Sequence, residues 1–149
     1  MSQARVLDDR DLKRLLLYIQ TQPHAARNRC MMLMTHWAGM RIGEVAALRL
    51  IDVLAPDGTV KEAITLSAAQ TKGDRSRTVL VSKRLQAELT QYLRFRFGLK
   101  KLDAVLGTDT QRALFPTQKS PRRGFSANTL CQLFHKIYAD SGLTGASSH

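Results

Sequence analysis

Cysteine, acidic residues and long apolar runs are all scarce in this sequence, and each scarcity removes a class of function. Only two cysteines occur, Cys30 and Cys131. They share no CxxC spacing, which argues against a thiolate zinc site and against dithiol redox chemistry. So few thiols suit a reducing cytosol. The four histidines, His24, His36, His135 and His149, have no neighbour at a metal-ligand spacing, and no Asp/Glu cluster stands in for one. No metal is expected. GxxxxGK[ST], HExxH and Gly-x-Ser-x-Gly are also missing, so the motifs of P-loop nucleotide hydrolysis, zinc proteolysis and serine-elbow hydrolysis do not apply. No cofactor or small-molecule substrate is implied. The most apolar run, "CMMLMTHWAGM", is flanked by arginines and too short for a bilayer of about 30 Å, so no membrane partner is expected.

Acidic residues are outnumbered by 23 Lys+Arg to 12 Asp+Glu, a net charge of +11. The excess is local. Between Lys83 and Arg123 ten basic residues face three acidic ones, whereas residues 1–82 carry twelve against eight. Such asymmetry points to a polyanionic partner, double-stranded DNA or another nucleic acid. At 44% hydrophobic and 23% charged residues the chain has enough apolar material for one core of ordinary domain size.

Periodicity gives the elements. Asp8 is a good N-cap for a helix carrying Leu12, Leu15, Leu16 and Ile19 on one face. Pro23 suits the first turn of a second helix, striped by Met31, Met34 and Trp37 and ended by Gly39. "RIGEVAALRL" predicts a short third helix. The period then changes to alternation. The Pro-Asp-Gly turn, "ITL", the polar "TKGDRSR" and "TVLVS" predict a hairpin or a three-stranded antiparallel sheet. "KRLQAELTQYLRFRF" returns to helix, 98–125 reads as loop, and Ser126 caps a last helix that Gly142 ends. The expected fold class is mostly α with a small antiparallel β-sheet, α+β, with Cys30 and Tyr138 in the core.

Two positions could carry chemistry. Arg41 follows the Gly39 break, and Glu44 lies three residues on, on the same helical face. The spacing fits a surface ion pair, and equally a carboxylate that presents a guanidinium to an oxyanion. Lys72, at a hairpin tip beside Gly73, is either a solubilising residue or a finger reaching a phosphate.

"AGMRIGEVAALRLIDV", "TKGDRSRTVLVS" and "GLTGASSH", in this order, resemble the tyrosine recombinase, or phage integrase, catalytic domain from about Val6 to His149. The resemblance implies an ordered set around one DNA phosphate: Arg41 as the first arginine, Glu44 as its support, Lys72 as the hairpin lysine, and His149 as the histidine of a His-x-x-Arg pair. It implies cleavage by a tyrosine to a 3′-phosphotyrosyl link with a free 5′-hydroxyl, then rejoining, without metal or ATP. Guanidinium donors would stabilise the phosphorane charge, Lys72 would protonate the leaving oxygen, and His149 would assist proton transfer. Contacts to DNA are expected from Arg41, Lys72, Arg75, Arg77, Lys119, Arg122 and Arg123. The second arginine and the tyrosine are expected after His149, whereas Tyr18, Tyr92 and Tyr138 all precede it. Residues 1–149 therefore read as a single partial catalytic domain, incomplete at the C-terminus and without the amino-terminal DNA-clamping domain. Alone, the chain is expected to bind DNA without cleaving it, to self-associate through an uncovered apolar face, or to be completed by full-length recombinase protomers. A DNA-binding remnant of the same fold is the rival reading. The setting implied is the bacterial cytoplasm, at the nucleoid, for a chain of bacterial or phage origin.

Overall fold

A computed structural model describes residues 7–71, 73, 75–107, 109 and 111–143, the side chains of Pro121 and Arg122 excepted. Lys72 and His149 lie outside the described residues, as does the side chain of Arg122.

The organising element is α2 (Ala25–Ala38). Its residues Cys30 to Thr35 are consecutively buried, so it is covered on every face, not striped, as a central helix must be. Four methionines in and beside it, Met31, Met32, Met34 and Met40, are wholly buried. Unbranched and flexible, they fill the irregular space between differently angled neighbours. The helix begins two residues after Pro23, with His24 at the N-cap, and stops at Gly39. Gly39 takes φ +66°, a left-handed conformation that costs other residues about 1 kcal/mol or more.

Two helices, α5 (Lys83–Phe97) and α1 (Asp9–Gln20), pack directly on α2, and α6 (Ala127–Asp140) packs on α1 and reaches α2 through Tyr138. In α5 the buried residues are Leu85, Leu89, Tyr92 and Leu93, and in α6 they are Leu130, Phe134, Ile137 and Tyr138. Both follow the i, i+4, i+7, i+8 spacing that puts one helical face inward. The first helix, α1, inserts Leu15 and Ile19. Side-chain oxygens start each of these helices: Asp8 accepts from Asp11 N–H, Ser82 from Leu85 N–H and Ser126 from Thr129 N–H. Arg29 of α2 forks onto Glu88 of α5, with Nε and Nη2 at 3.0 and 2.8 Å from the two carboxylate oxygens. At the far end of the same helix pair, the guanidinium of Arg84 lies 4.0 Å from the centre of the Trp37 ring.

The single helix expected over "RIGEVAALRL" is two, α3 (Ile42–Ala46) and α4 (Leu50–Val53). The break has a cause. Leu114 N–H donates to the Leu48 carbonyl at 2.9 Å and Leu50 N–H to the Arg112 carbonyl at 2.9 Å, so this backbone pairs with another segment and cannot also continue a helix.

The expected sheet is a two-stranded antiparallel hairpin, β1 (Ala63–Leu66) against β2 (Arg77–Leu80), with Ile64 opposite Val79. The region expected to be loop holds a second hairpin, β3 (Pro116–Thr117) with β4 (Ser120–Gly124), and a one-turn 3₁₀ helix at Val105–Gly107. Gly124 runs so close to α3 that a Cβ there would sit 2.9 Å from the Ala46 carbonyl oxygen and 3.3 Å from Ala113 Cβ. Gly124→Ala is therefore expected to destabilise the domain by about 1–3 kcal/mol, measured by urea unfolding. An unchanged midpoint would show that the hairpin shifts freely. Among the described residues no helix is long and apolar enough to cross a membrane.

Candidate functional site

The turn between α2 and α3 is exposed and braced from two elements, by Glu44 of α3 and Arg77 of β2. Glu44 sits one turn into α3 and is 1% exposed. Its Oε1 accepts the Arg41 N–H at 3.0 Å, closing the first turn as a capping carboxylate does. Both of its oxygens also receive the Arg77 guanidinium, Nε to Oε2 at 2.8 Å and Nη2 to Oε1 at 2.8 Å. Arg77 Nη2 reaches the Gly39 carbonyl as well, at 3.4 Å. Glu44 thus holds Arg41 through its backbone, and gives its charge to Arg77.

The electrostatics agree with the geometry. Burial pushes the Glu44 carboxyl up, but the Arg77 hydrogen bonds and the Arg41 N–H outweigh it and leave the group below the ordinary carboxylate value. Arg77 is raised in return, chiefly by its hydrogen bond to Glu44. Glu44 is ionised and Arg77 is engaged. Arg77, expected as a DNA contact, is a strut between β2 and the α2–α3 turn, with 38% of its side chain exposed. Arg41 remains exposed, so the guanidinium facing solvent is the one on the rigid turn.

A second cluster lies beneath. Asp52 accepts the Arg49 N–H at 2.8 Å and that guanidinium at 3.2 and 3.4 Å. Gln70 Nε2 donates to Asp52 at 2.8 Å and to the Ala47 carbonyl at 3.1 Å, while Gln70 Oε1 accepts from Ser67 N–H at 3.0 Å. Gln70 therefore fastens the loop leaving β1 to the α3–α4 pair, two residues before Lys72. The Thr71 hydroxyl lies within 3.2 Å of three carbonyl oxygens, those of Ala68, Gly73 and Arg75, gathering the chain on both sides of Lys72.

The remaining expected contacts divide. Arg75, on the same loop, is exposed. Lys119, at the tip of the β3–β4 hairpin, and Arg123 on β4 are exposed too, and this hairpin leans on α3 through Gly124. The structure thus brings Arg41, Glu44 and Arg77 together directly. It attaches the Lys72 loop and the second basic hairpin to the same pair of short helices. Sequence reading missed Gln70 and the strut role of Arg77. The Arg49–Asp52 spacing of three residues was an available signal, whereas Gln70 had none.

The tyrosines are occupied elsewhere. Tyr92 donates to the Leu114 carbonyl at 2.8 Å, Tyr138 is 2% exposed with its hydroxyl on Met32 Sδ, and Tyr18 donates to Asp140 at 2.9 Å. Burial raises all three phenols above their ordinary value, Tyr92 to about 12.

Known proteins share this fold and part of this sequence. Transposase A from transposon Tn554 of Staphylococcus aureus is 29% identical over 99 residues, covering 64% of this chain and 26% of the transposase. The crystal structure of XerA recombinase superposes with a TM-score of 0.69 at 18% identity, over 99% of this chain and 47% of that one. XerH site-specific recombinase bound to difH substrate gives 0.61 at 21% identity, over 99% and 39%. The chain spans about a quarter of the length of its curated relatives and under half of each recombinase. The phage integrase family model matches residues 5–149, and the chain belongs to the phage integrase family.

Proposed function

We propose that this domain supplies the phosphate-activating half of a site-specific DNA recombinase, whose reaction cleaves and rejoins strands through a 3′-phosphotyrosyl intermediate. The observation that carries this reading is the Arg41 turn. An exposed guanidinium at a helix start, on a backbone pinned by a buried ionised carboxylate and a strut from another element, is built to meet a fixed anion. Arg41 stabilises the charge that develops on the phosphorane, Lys72 delivers the proton to the leaving 5′-oxygen, and His149 assists. Glu44 and Arg77 are positioning residues. The nucleophilic tyrosine is none of Tyr18, Tyr92 or Tyr138, because each hydroxyl is tied into the fold. It comes from chain or protomer outside residues 1–149. Duplex DNA is the partner, along Lys72, Arg75, Lys119, Arg122 and Arg123, in the bacterial cytoplasm.

Mobility-shift titrations with duplex DNA across a salt series test this reading. Binding should weaken steeply with salt, and Arg122→Ala/Arg123→Ala should reduce the slope by up to about 2, since each phosphate contact releases roughly one counterion. No duplex binding at low salt would sink the proposal. An unchanged slope would remove these two arginines from the footprint. A DNA-binding role without chemistry is the second reading, favoured by the three engaged hydroxyls. Covalent adducts on a nicked suicide substrate with this chain alone would exclude it.

A further inference from the structure

A cleft of about 710 Å³ opens at the other end of α2 from Arg41. The 14 residues of that helix separate the two ends by about 21 Å at 1.5 Å rise per residue. The walls come from the start of α2, the end of α5 and the segment leading into β3. Three arginines line it, Arg27, Arg96 and Arg112, and no Asp or Glu is among its lining residues.

Two of the guanidiniums have an evident structural task. Arg27, 8% exposed, donates through Nη1 to the Pro116 carbonyl at 3.1 Å and through Nε to Asn28 at 3.1 Å. Arg96 Nη1 donates to the Ala113 and Leu114 carbonyls, each at 2.8 Å. These bonds satisfy oxygens that would otherwise be orphaned, but every one of the acceptors is neutral. Arg112 has no such task. Its Nε is buried without a hydrogen-bond partner, and its guanidinium lies 5.8 Å from the Phe97 ring centre. Burial lowers the affinity of Arg27 and Arg96 for their protons, and Arg112 adds repulsion to Arg96.

The start of α2 faces the same space. Ala25 and Ala26 line the cleft, and no side chain caps the helix, because His24 at the N-cap makes no such bond. His24 also holds φ +60°, a strained conformation for a residue with a Cβ. Open N–H groups at the positive end of a helix dipole favour an anion. A cleft lined by three guanidiniums and by no carboxylate carries a positive potential that favours an anion. Both observations, made on different elements, are resolved by a ligand carrying several negative oxygens.

We propose that this cleft is a binding site for a phosphate-bearing small molecule of nucleotide size, separate from the Arg41 turn. The phosphates lie between Arg112, Arg27 and the start of α2. The volume exceeds what one phosphate fills and falls within the range of small-ligand pockets. The remaining wall is aromatic: Tyr92, Phe97 and, at the rim, Phe95, which is 76% exposed. An apolar or planar ring on the ligand would cover it. This inference does not depend on the recombinase reading.

Calorimetric and thermal-melting titrations with ATP, inorganic pyrophosphate and adenosine test it. ATP and pyrophosphate should both raise Tm, while adenosine should not. Arg112→Gln should weaken ATP binding about tenfold, the loss expected for a charge-assisted hydrogen bond. It should leave the Tm of the free protein unchanged or higher, since it removes a repulsion and no carbonyl partner. Phe95→Ala, at an exposed position, should weaken ATP and spare pyrophosphate. The proposal is overturned if neither phosphate ligand shifts Tm, if adenosine matches ATP, or if Arg112→Gln binds ATP as the parent does. Duplex DNA distinguishes the source of the phosphate. ATP should bind alongside duplex, and displacement of ATP by duplex in a one-to-one exchange would make the cleft part of the DNA surface and overturn a separate site.

Discussion

Replacing Arg41 with alanine, in the recombinase that carries this domain together with its nucleophilic tyrosine, is expected to cut strand cleavage by about 10²–10³-fold, as loss of one oxyanion donor does. Duplex affinity should change far less. The reasoning is differential. Arg41 is exposed, so its removal leaves no buried group behind. The Glu44 carboxylate keeps its hydrogen bond from the residue 41 N–H, because that bond is made by the backbone. The turn should stay in place, and what disappears is charge at the point where the phosphorane gains it. Single-turnover cleavage of a nicked duplex, alongside mobility-shift affinity, separates the two quantities. A fall in affinity as large as the fall in rate would show that Arg41 only holds DNA.

Arg77→Ala is expected to act on stability, by about 3 kcal/mol, the lower end for a broken buried pair. At 2–4 °C per kcal/mol for a domain of this size, Tm falls by about 6–12 °C. The asymmetry of exposure sets the size. Glu44 is 1% exposed and Arg77 38% in their side chains, so losing the arginine strands a buried carboxylate, whereas Glu44→Gln strands an arginine that water already reaches. Arg77→Ala should therefore cost more than Glu44→Gln. Acid gives an independent check. In the parent, the Glu44 pKa lies below its unfolded value, so the pair stabilises the fold above about pH 4 and that contribution is lost as pH falls through the folded pKa. In the variant, the same carboxyl is buried without a counter-charge and prefers its proton. The gap between parent and variant should begin to narrow above about pH 4, as the variant takes up its proton, and go on narrowing below it as the parent loses its ionised pair. A gap independent of pH would mean that Arg77 acts through packing alone.

These two arginines also show what was legible beforehand. Asp8 and Ser126 declare their helices because a cap oxygen and the N–H that donates to it sit three residues apart, and the inner faces of α5 and α6 follow helical spacing. Such information is local. The Arg77–Glu44 strut spans 33 residues and the Gln70–Asp52 tie spans 18, so neither leaves a pattern that a window can detect. The i, i+3 relation of Arg41 and Glu44 suggested a pair between their side chains. The true contact is to the backbone, because a carboxylate at the third position of a helix is drawn to the open N–H before it. The β3–β4 hairpin was read as loop since Pro116, Pro121 and Gly124 punctuate it, and nothing in that composition reveals that it leans on α3. The split of α3 from α4 was hidden for the same reason: its cause is the segment from Arg112 to Leu114, far along the chain.

The arginine stacked on Trp37 has an optical consequence. Trp37 is the only tryptophan in the sequence, and it lies two residues before the Gly39 bend, with the Arg84 guanidinium 4.0 Å from its ring centre. Its emission therefore reports from one place, the end of the central helix that delivers Arg41. A rearrangement of that bend would disturb the stacked pair and register as a spectral change without any attached dye. The domain carries its own fluorophore beside the residue on which its proposed chemistry turns.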